Sequence, residues 1–140
     1  NIPEANRRIG SVSSHDISLP LSTVSKFIDE ARVEISKLGN FRINCFGHLG
    51  DGNLHFNIFP NKGEKREEYN HIRPEIKTVI HDLVHLHGGS VSAEHGIGRL
   101  KIKDLVKYSD PIKLKLNRSI KAVMDPKGIL NPGVIFASNQ

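Results

Sequence analysis

The chain has 140 residues, 37% apolar and 25% charged, which fits one domain over residues 1–140 able to bury a real core and leaves no room for a second full domain. A single cysteine, Cys45, excludes an intramolecular disulfide, and its apolar surroundings predict a buried, inert thiol in a reducing, intracellular setting. The formal charge of +5 and pI near 9.5 raise nucleic acid as a partner, although much of the excess lies between Arg99 and Lys121.

The residues before His15 show no clear periodicity and read as the cut edge of a longer protein. No apolar run nears the roughly 20 residues that cross a bilayer, and the opening NIPEANRRIG lacks an apolar signal core, so a soluble protein is expected. His15 to Pro20 reads as a short strand, with Ile17 and Leu19 alternating and Pro20 closing it. The next segment predicts an amphipathic helix with Ser22 as N-cap, Val24, Phe27, Ile28, Ala31, Ile35 and Leu38 on one face, and Gly39 as terminator.

Residues 41–49 and 53–60 are strand-like runs around Gly50-Asp51-Gly52-Asn53, and Asp-Gly favours a two-residue type I′ turn because both central residues need positive φ. A second helix is expected over 66–87, with Tyr69, Ile72, Ile76, Val79, Ile80, Leu83 and Val84 on one face, Pro74 kinking it or opening it, and Gly88-Gly89 ending it. Ser90 to Ala93 is a further short strand. Asp110-Pro111 supplies an N-cap and N1 proline for a last helix ending before Asp125-Pro126, and the tail 125–136 is loop. The order β-α-β-β-α-β predicts an α+β fold, a ferredoxin-like antiparallel sheet with helices packed on one face, plus a C-terminal helix and tail.

If Asp51 and Gly52 are the turn, partners across the hairpin sum to 103 and His48 lies opposite His55, with Cβ atoms about 4.5–5.5 Å apart. Alternation puts Asn44, Phe46, His48, His55, Asn57 and Phe59 on one face, and Ile43, Cys45, Leu54, Phe56 and Ile58 on the core face. Two imidazoles side by side on a hairpin suit a divalent cation such as Zn²⁺, and Glu94-His95 at the end of the third strand could complete a His₂Glu set with an open position. The plainer alternative is a cross-strand surface pair of histidines.

Three segments carry a resemblance: Gly47-His-Leu-Gly-Asp-Gly-Asn-Leu-His55, Ser92-Ala-Glu-His-Gly-Ile-Gly98 and Asp125-Pro-Lys-Gly-Ile-Leu-Asn-Pro-Gly133. In this order they resemble signatures of the FAD-linked oxidase C-terminal domain, the substrate-side domain of D-lactate, D-2-hydroxyglutarate and glycolate dehydrogenases. The resemblance implies an FAD-dependent oxidation of a D-2-hydroxy acid to the 2-oxo acid by the complete enzyme. It also implies that His48, His55 and Glu94 bind a divalent metal, with zinc the expected ion, that Asn57 helps hold the substrate, that His95 is the general base, and that Asn131 approaches the flavin. Such a base makes chemical sense, since imidazole accepts a proton near neutral pH.

The flavin itself would be held mainly by another portion of the polypeptide, because no Gly-rich strand-to-helix phosphate loop occurs here. This fragment alone is therefore expected to be inactive, in the cytoplasm or, in a eukaryote, the mitochondrion. Two departures bear on the substrate: the family's carboxylate-binding arginine would precede residue 1, and Ser14 stands where many members carry lysine.

Two other functions compete. A standalone zinc hydrolase would need only the His₂Glu set and water, but no substrate-cleaving partner residues accompany it. A nucleic-acid module would rest on the basic residues from Arg99 to Lys121, yet aromatics are 6% and tryptophan is absent, so no stacking platform is visible. His81 and His85 stand at i, i+4 opposite the apolar stripe of their helix, without the glutamate of a zincin motif, and are expected on a solvated face.

Overall fold

A computed structural model describes residues 2–137, and the chain divides into two compact units, Asn1–Glu94 and His95–Gln140. The first carries α1 (Ile2–Ile9), β1 (Ser13–Ser18), α2 (Val24–Leu38), β2 (Arg42–Phe46), β3 (Asn53–Phe59) and α3 (Arg73–Leu86); the second carries α4 (Ile102–Tyr108) and α5 (Pro111–Met124). Among the described residues no helix is long and apolar enough to cross a membrane.

The three strands form an antiparallel sheet in the order β1-β3-β2. Where the sequence predicts a strand over 90–93, only a single bridge forms, Ser18 to Ser90. The cause is local: the Ser90 hydroxyl donates to the Ser92 carbonyl and accepts the Ser92 N–H, offering the backbone an alternative to the ladder. This bridge lies beside β1, so the sheet keeps the ferredoxin-like order with its fourth strand reduced to one contact.

The core follows from the two periodicities of the sequence. Val24, Phe27, Ala31 and Ile35 of α2 and Ile76, Ile80 and Val84 of α3 are buried, as are Ile17, Leu54, Phe56 and Ile58 of the sheet. Phe27 meets Phe56 edge-on at 5.7 Å between ring centroids, and each such fully buried side chain stabilises the fold by about 1.5–3 kcal/mol. Helix boundaries differ from expectation in two places. Ser22 does not cap α2, because it lies in a 3-10 turn, Leu21–Thr23, that precedes it. The segment expected as one helix over 66–87 is a 3-10 turn, Arg66–Tyr69, followed by α3 with Pro74 in its first turn.

Two short helices, α1 and α4, escape the sequence reading. Helices of 8 and 7 residues are below the length at which local propensity alone is decisive, and the rest of the protein must hold them. Asn6 of α1 accepts a hydrogen bond from the Asn44 side chain at 3.3 Å, so α1 reaches the sheet face opposite α2 and α3.

His81 corrects a further expectation. It is only 3% exposed, with its Nε2 at 3.3 Å from Nδ1 of the buried His15, whose Nε2 meets the Ser13 hydroxyl at 2.8 Å. A helical wheel ranks His81 as solvated; the sheet turns a second imidazole toward it, and the pair satisfies buried nitrogens that would otherwise be costly.

In the second unit α5 begins as predicted. The Asp110 carboxylate accepts the Ile112 and Lys113 N–H groups at 2.7 and 3.1 Å, satisfying donors that have no partner inside the helix. At the other end the Asp125 carboxylate accepts from the Lys121 ammonium and from the Ile129 and Leu130 N–H groups. The Lys121 hydrogen bond holds that carboxyl below the usual carboxylate range, so Asp125 ties the tail to the helix as an anion.

Candidate functional site

The hairpin that carries the two candidate histidines is wider than the Asp-Gly signal predicts. β2 ends at Phe46, Leu49–Asp51 forms a 3-10 turn, and β3 starts at Asn53. Partners sum to 101 rather than 103: Phe46 is opposite His55, Cys45 opposite Phe56, and Asn44 opposite Asn57. The expected His48–His55 strand pair is thus a misassignment, and His48 lies in the connection. The two-residue turn loses because the connection is packed against β1: the Gly52 carbonyl accepts the Leu19 N–H at 3.0 Å, and Gly52 has φ +70° with no space for a Cβ, which would lie 2.0 Å from the Leu19 carbonyl oxygen.

We expect Gly52→Ala to lower the urea midpoint, since the left-handed backbone alone costs a non-glycine residue about 1–2 kcal/mol and the collision adds to it. An unchanged midpoint would contradict the tight packing of this turn.

The faces nevertheless survive the change of register. Each partner moves by two positions, and an even shift leaves every side chain on its side of the pleat. Asn44, Phe46, His55 and Asn57 therefore share one face, away from α2 and α3. β1 adds Ser14 opposite Asn57 and Asp16 opposite His55.

His48 still comes to His55, with 6.4 Å between ring centroids. Glu94 joins both: its Oε1 lies 2.8 Å from His48 Nδ1 and 3.9 Å from His55 Nε2. The side chains grade from 67% exposed at His48 through 42% at Glu94 to 22% at His55, so the cluster opens to solvent on one side and rests on the sheet on the other. The three residues predicted as metal ligands are thus brought together by the end of β3, the loop before it and the segment after the Ser90 bridge.

Sequence reasoning missed Asp16. Potential ligand atoms of Asp16, His55 and Glu94 lie within 4.8 Å of one another, which makes Asp16 a fourth candidate. Its contacts assign it a different task. One carboxylate oxygen accepts the Asn53 side-chain amide at 2.9 Å and the other accepts the Glu94 N–H at 2.8 Å, while its carbonyl accepts the Ala93 N–H. A buried acidic side chain (5% exposed) thus fastens the Glu94 segment to the sheet. The signal for it was present in the alternation of Ile17 and Leu19, which forces Asp16 onto the other face; the pairing of β1 with β3 that sets it beside His55 was not.

Asn57 is buried on the same sheet face, its amide donating to the His55 carbonyl at 3.2 Å. His95 and Asn131 belong to the second unit. His95 follows Glu94 directly and is exposed; Asn131 adopts φ +46°, tolerable for asparagine, and lines a cavity of about 370 Å³ with Arg118, Lys121 and Phe136. Burial pushes the Cys45 thiol above its ordinary range, in keeping with an inert residue.

Two imidazoles and one carboxylate are a donor set that could hold a divalent cation, and the carboxylate's residue is held in place by its backbone N–H donating to Asp16 at 2.8 Å. Comparison with known proteins finds relatives along almost the whole chain. The chain is 38% identical over 132 residues, 94% of its length, to "D-2-hydroxyglutarate dehydrogenase, mitochondrial" of Arabidopsis thaliana. It is 37% identical over 126 residues, 89% of its length, to D-2-hydroxyglutarate dehydrogenase of Stutzerimonas stutzeri, and 38% identical over 132 residues, 94% of its length, to the mitochondrial enzyme of Bos taurus. The matched region covers 22%, 27% and 23% of those relatives respectively, so the chain spans about a quarter of their length. Residues 3–135 match the family described as FAD linked oxidases, C-terminal domain, and the chain belongs to that family.

Proposed function

We propose that this chain is the substrate- and metal-binding domain of an FAD-dependent dehydrogenase that oxidises a D-2-hydroxy acid, with D-2-hydroxyglutarate the first substrate to test. The observation that supports the reading is the convergence of His48, His55 and Glu94 near the start of the central strand β3, beside the face that bears Asn57. His48, His55 and Glu94 would hold a divalent cation, zinc being suited to two imidazoles and a carboxylate. When bound, the cation would supply Lewis acidity toward the substrate's 2-hydroxyl, and the flavin would supply the acceptor for the C2 hydride.

The remaining work falls to this chain's own side chains. Asn57 offers an amide to a polar group of the substrate from a rigid strand, which fixes it better than a loop would. His95 accepts the proton of the 2-hydroxyl on an imidazole nitrogen, so that the O–H bond breaks as the carbonyl forms. Asn131, on the tail, would help hold the flavin. The flavin is bound mainly by the portion of the full-length polypeptide outside these residues.

The test is the full-length protein, purified with its flavin and assayed with an artificial electron acceptor against D-2-hydroxyglutarate, D-lactate and glycolate. Flavin bleaching by one D-acid, and not by its L-enantiomer, is expected. Hydrolytic activity without flavin would favour a zinc hydrolase instead, and absence of both activities would overturn the proposal.

A further inference from the structure

Helix α5 is built with its more apolar side outward. Ile112, Leu116, Ile120, Val123 and Met124 fall within about one third of the helical circumference, at 100° per residue, and each is more than half exposed. The opposite side faces the unit's own tail: Leu114 is buried, Arg118 lies over the Phe136 ring at 5.9 Å, and Lys121 binds Asp125 and the Leu130 carbonyl.

A second observation points the same way. Among the described residues of the second unit, Leu114 is the one buried large apolar side chain, while Leu100, Ile129 and Leu130 are also exposed. A segment with so little interior cannot offset the entropy of its own ordering. A contiguous apolar stripe of this kind marks a contact surface.

From this we infer that the Ile112–Met124 face of α5 is the docking surface for the N-terminal, flavin-binding portion of the full-length polypeptide. The inference rests on the reading of the chain as part of a longer flavoprotein. The occupant follows from two facts: the family is defined as a C-terminal domain, and the relatives carry roughly three quarters of their length outside the matched region. Permanent interfaces are the more hydrophobic kind, and a stripe of five large aliphatic side chains broken only by Lys113 suits a partner tethered in the same chain. A lipid surface would instead favour a continuous cationic border to the stripe; here Ser119 and Asn117 flank it directly, Arg118 and Lys121 are engaged with the unit's own tail, and Lys115 beyond Ser119 is an isolated cation on that side.

Photo-crosslinking in the full-length protein tests it. Benzoylphenylalanine is placed at Ile120 and, separately, at Ile112 at the far end of the stripe, so that loss of folding at one position leaves the other informative. Each variant is irradiated with and without phosphatidylglycerol vesicles, its flavin absorbance is recorded, and crosslinked peptides are mapped. The expected result is a crosslink of monomer mass joining α5 to a peptide N-terminal to the residues described here, unaffected by vesicles. A product of dimer mass, a lipid adduct, or no crosslink at either position in folded protein overturns the inference. An intramolecular crosslink in a protein devoid of flavin would keep the docking surface and sink the flavoprotein reading, so the two are separable.

Discussion

Replacing Glu94 and His95 one at a time in the full-length enzyme should disable it in two different ways. Glu94→Ala is expected to lose both metal and turnover. Its carboxylate oxygen reaches both imidazoles, at 2.8 Å from His48 and 3.9 Å from His55, and without it a cation would be short of one ligand and of the only negative charge among the three. His95→Ala should keep the metal and lose turnover, because the substrate still binds but no base takes its hydroxyl proton; a general base typically contributes about 10²–10⁴-fold. Elemental analysis and turnover on a D-2-hydroxy acid separate the two outcomes. Metal retained in Glu94→Ala but lost in His95→Ala would show that the roles are reversed.

Asp16→Ala is expected to damage the same site without touching substrate. The buried carboxylate accepts from the Asn53 amide and from the Glu94 N–H, and deleting it leaves both donors without that acceptor, at a cost of about 1–3 kcal/mol for each group that stays buried and unsatisfied. The Asn53 amide would be left with its longer contact to the Ile17 carbonyl at 3.4 Å, and its side-chain oxygen is already buried without a hydrogen-bond partner. The larger consequence is positional. The Glu94 segment is not a regular strand beyond the Ser90 bridge, and the Asp16 carboxylate, with the Asp16 carbonyl at the Ala93 N–H, holds Glu94 over the sheet. Loss of a partner that orients a ligand typically costs 10–100-fold in metal affinity, and a drop of about that size is expected in zinc titrations of folded Asp16→Ala. A Glu94 segment held by other contacts would give wild-type zinc affinity with only the stability loss; that result would remove Asp16 from the site. Asp16→Asn keeps one acceptor and is expected to fall between the two.

The layout of the core and the face shared by His55 and Asn57 were legible in the chain, and the geometry around them was only partly so. Alternation over residues 42–59 assigns Leu54, Phe56 and Ile58 to the core and His55 and Asn57 to the other face. That assignment held despite a wrong register, because the error was an even number of positions. The 3.6-residue stripes of α2 and α3, and the Asp110-Pro111 start of α5, are likewise encoded by neighbours within a turn or two.

The width of the hairpin was decided elsewhere. Asp51-Gly52 has the composition of a tight turn, but Gly52 packs its backbone against Leu19, more than thirty residues earlier in the chain. Local turn preference amounts to a fraction of what a ladder hydrogen bond and close packing together contribute. The burial of His81 and the place of Asp16 have the same origin. Each is settled by which strand lies next to which: β1 beside β3 sets Asp16 opposite His55 on one face and turns His15 toward α3 on the other. Periodicity reports which way a side chain points along its own element. It carries no term for the group that waits across the sheet, and for a buried polar side chain that group decides whether burial is affordable.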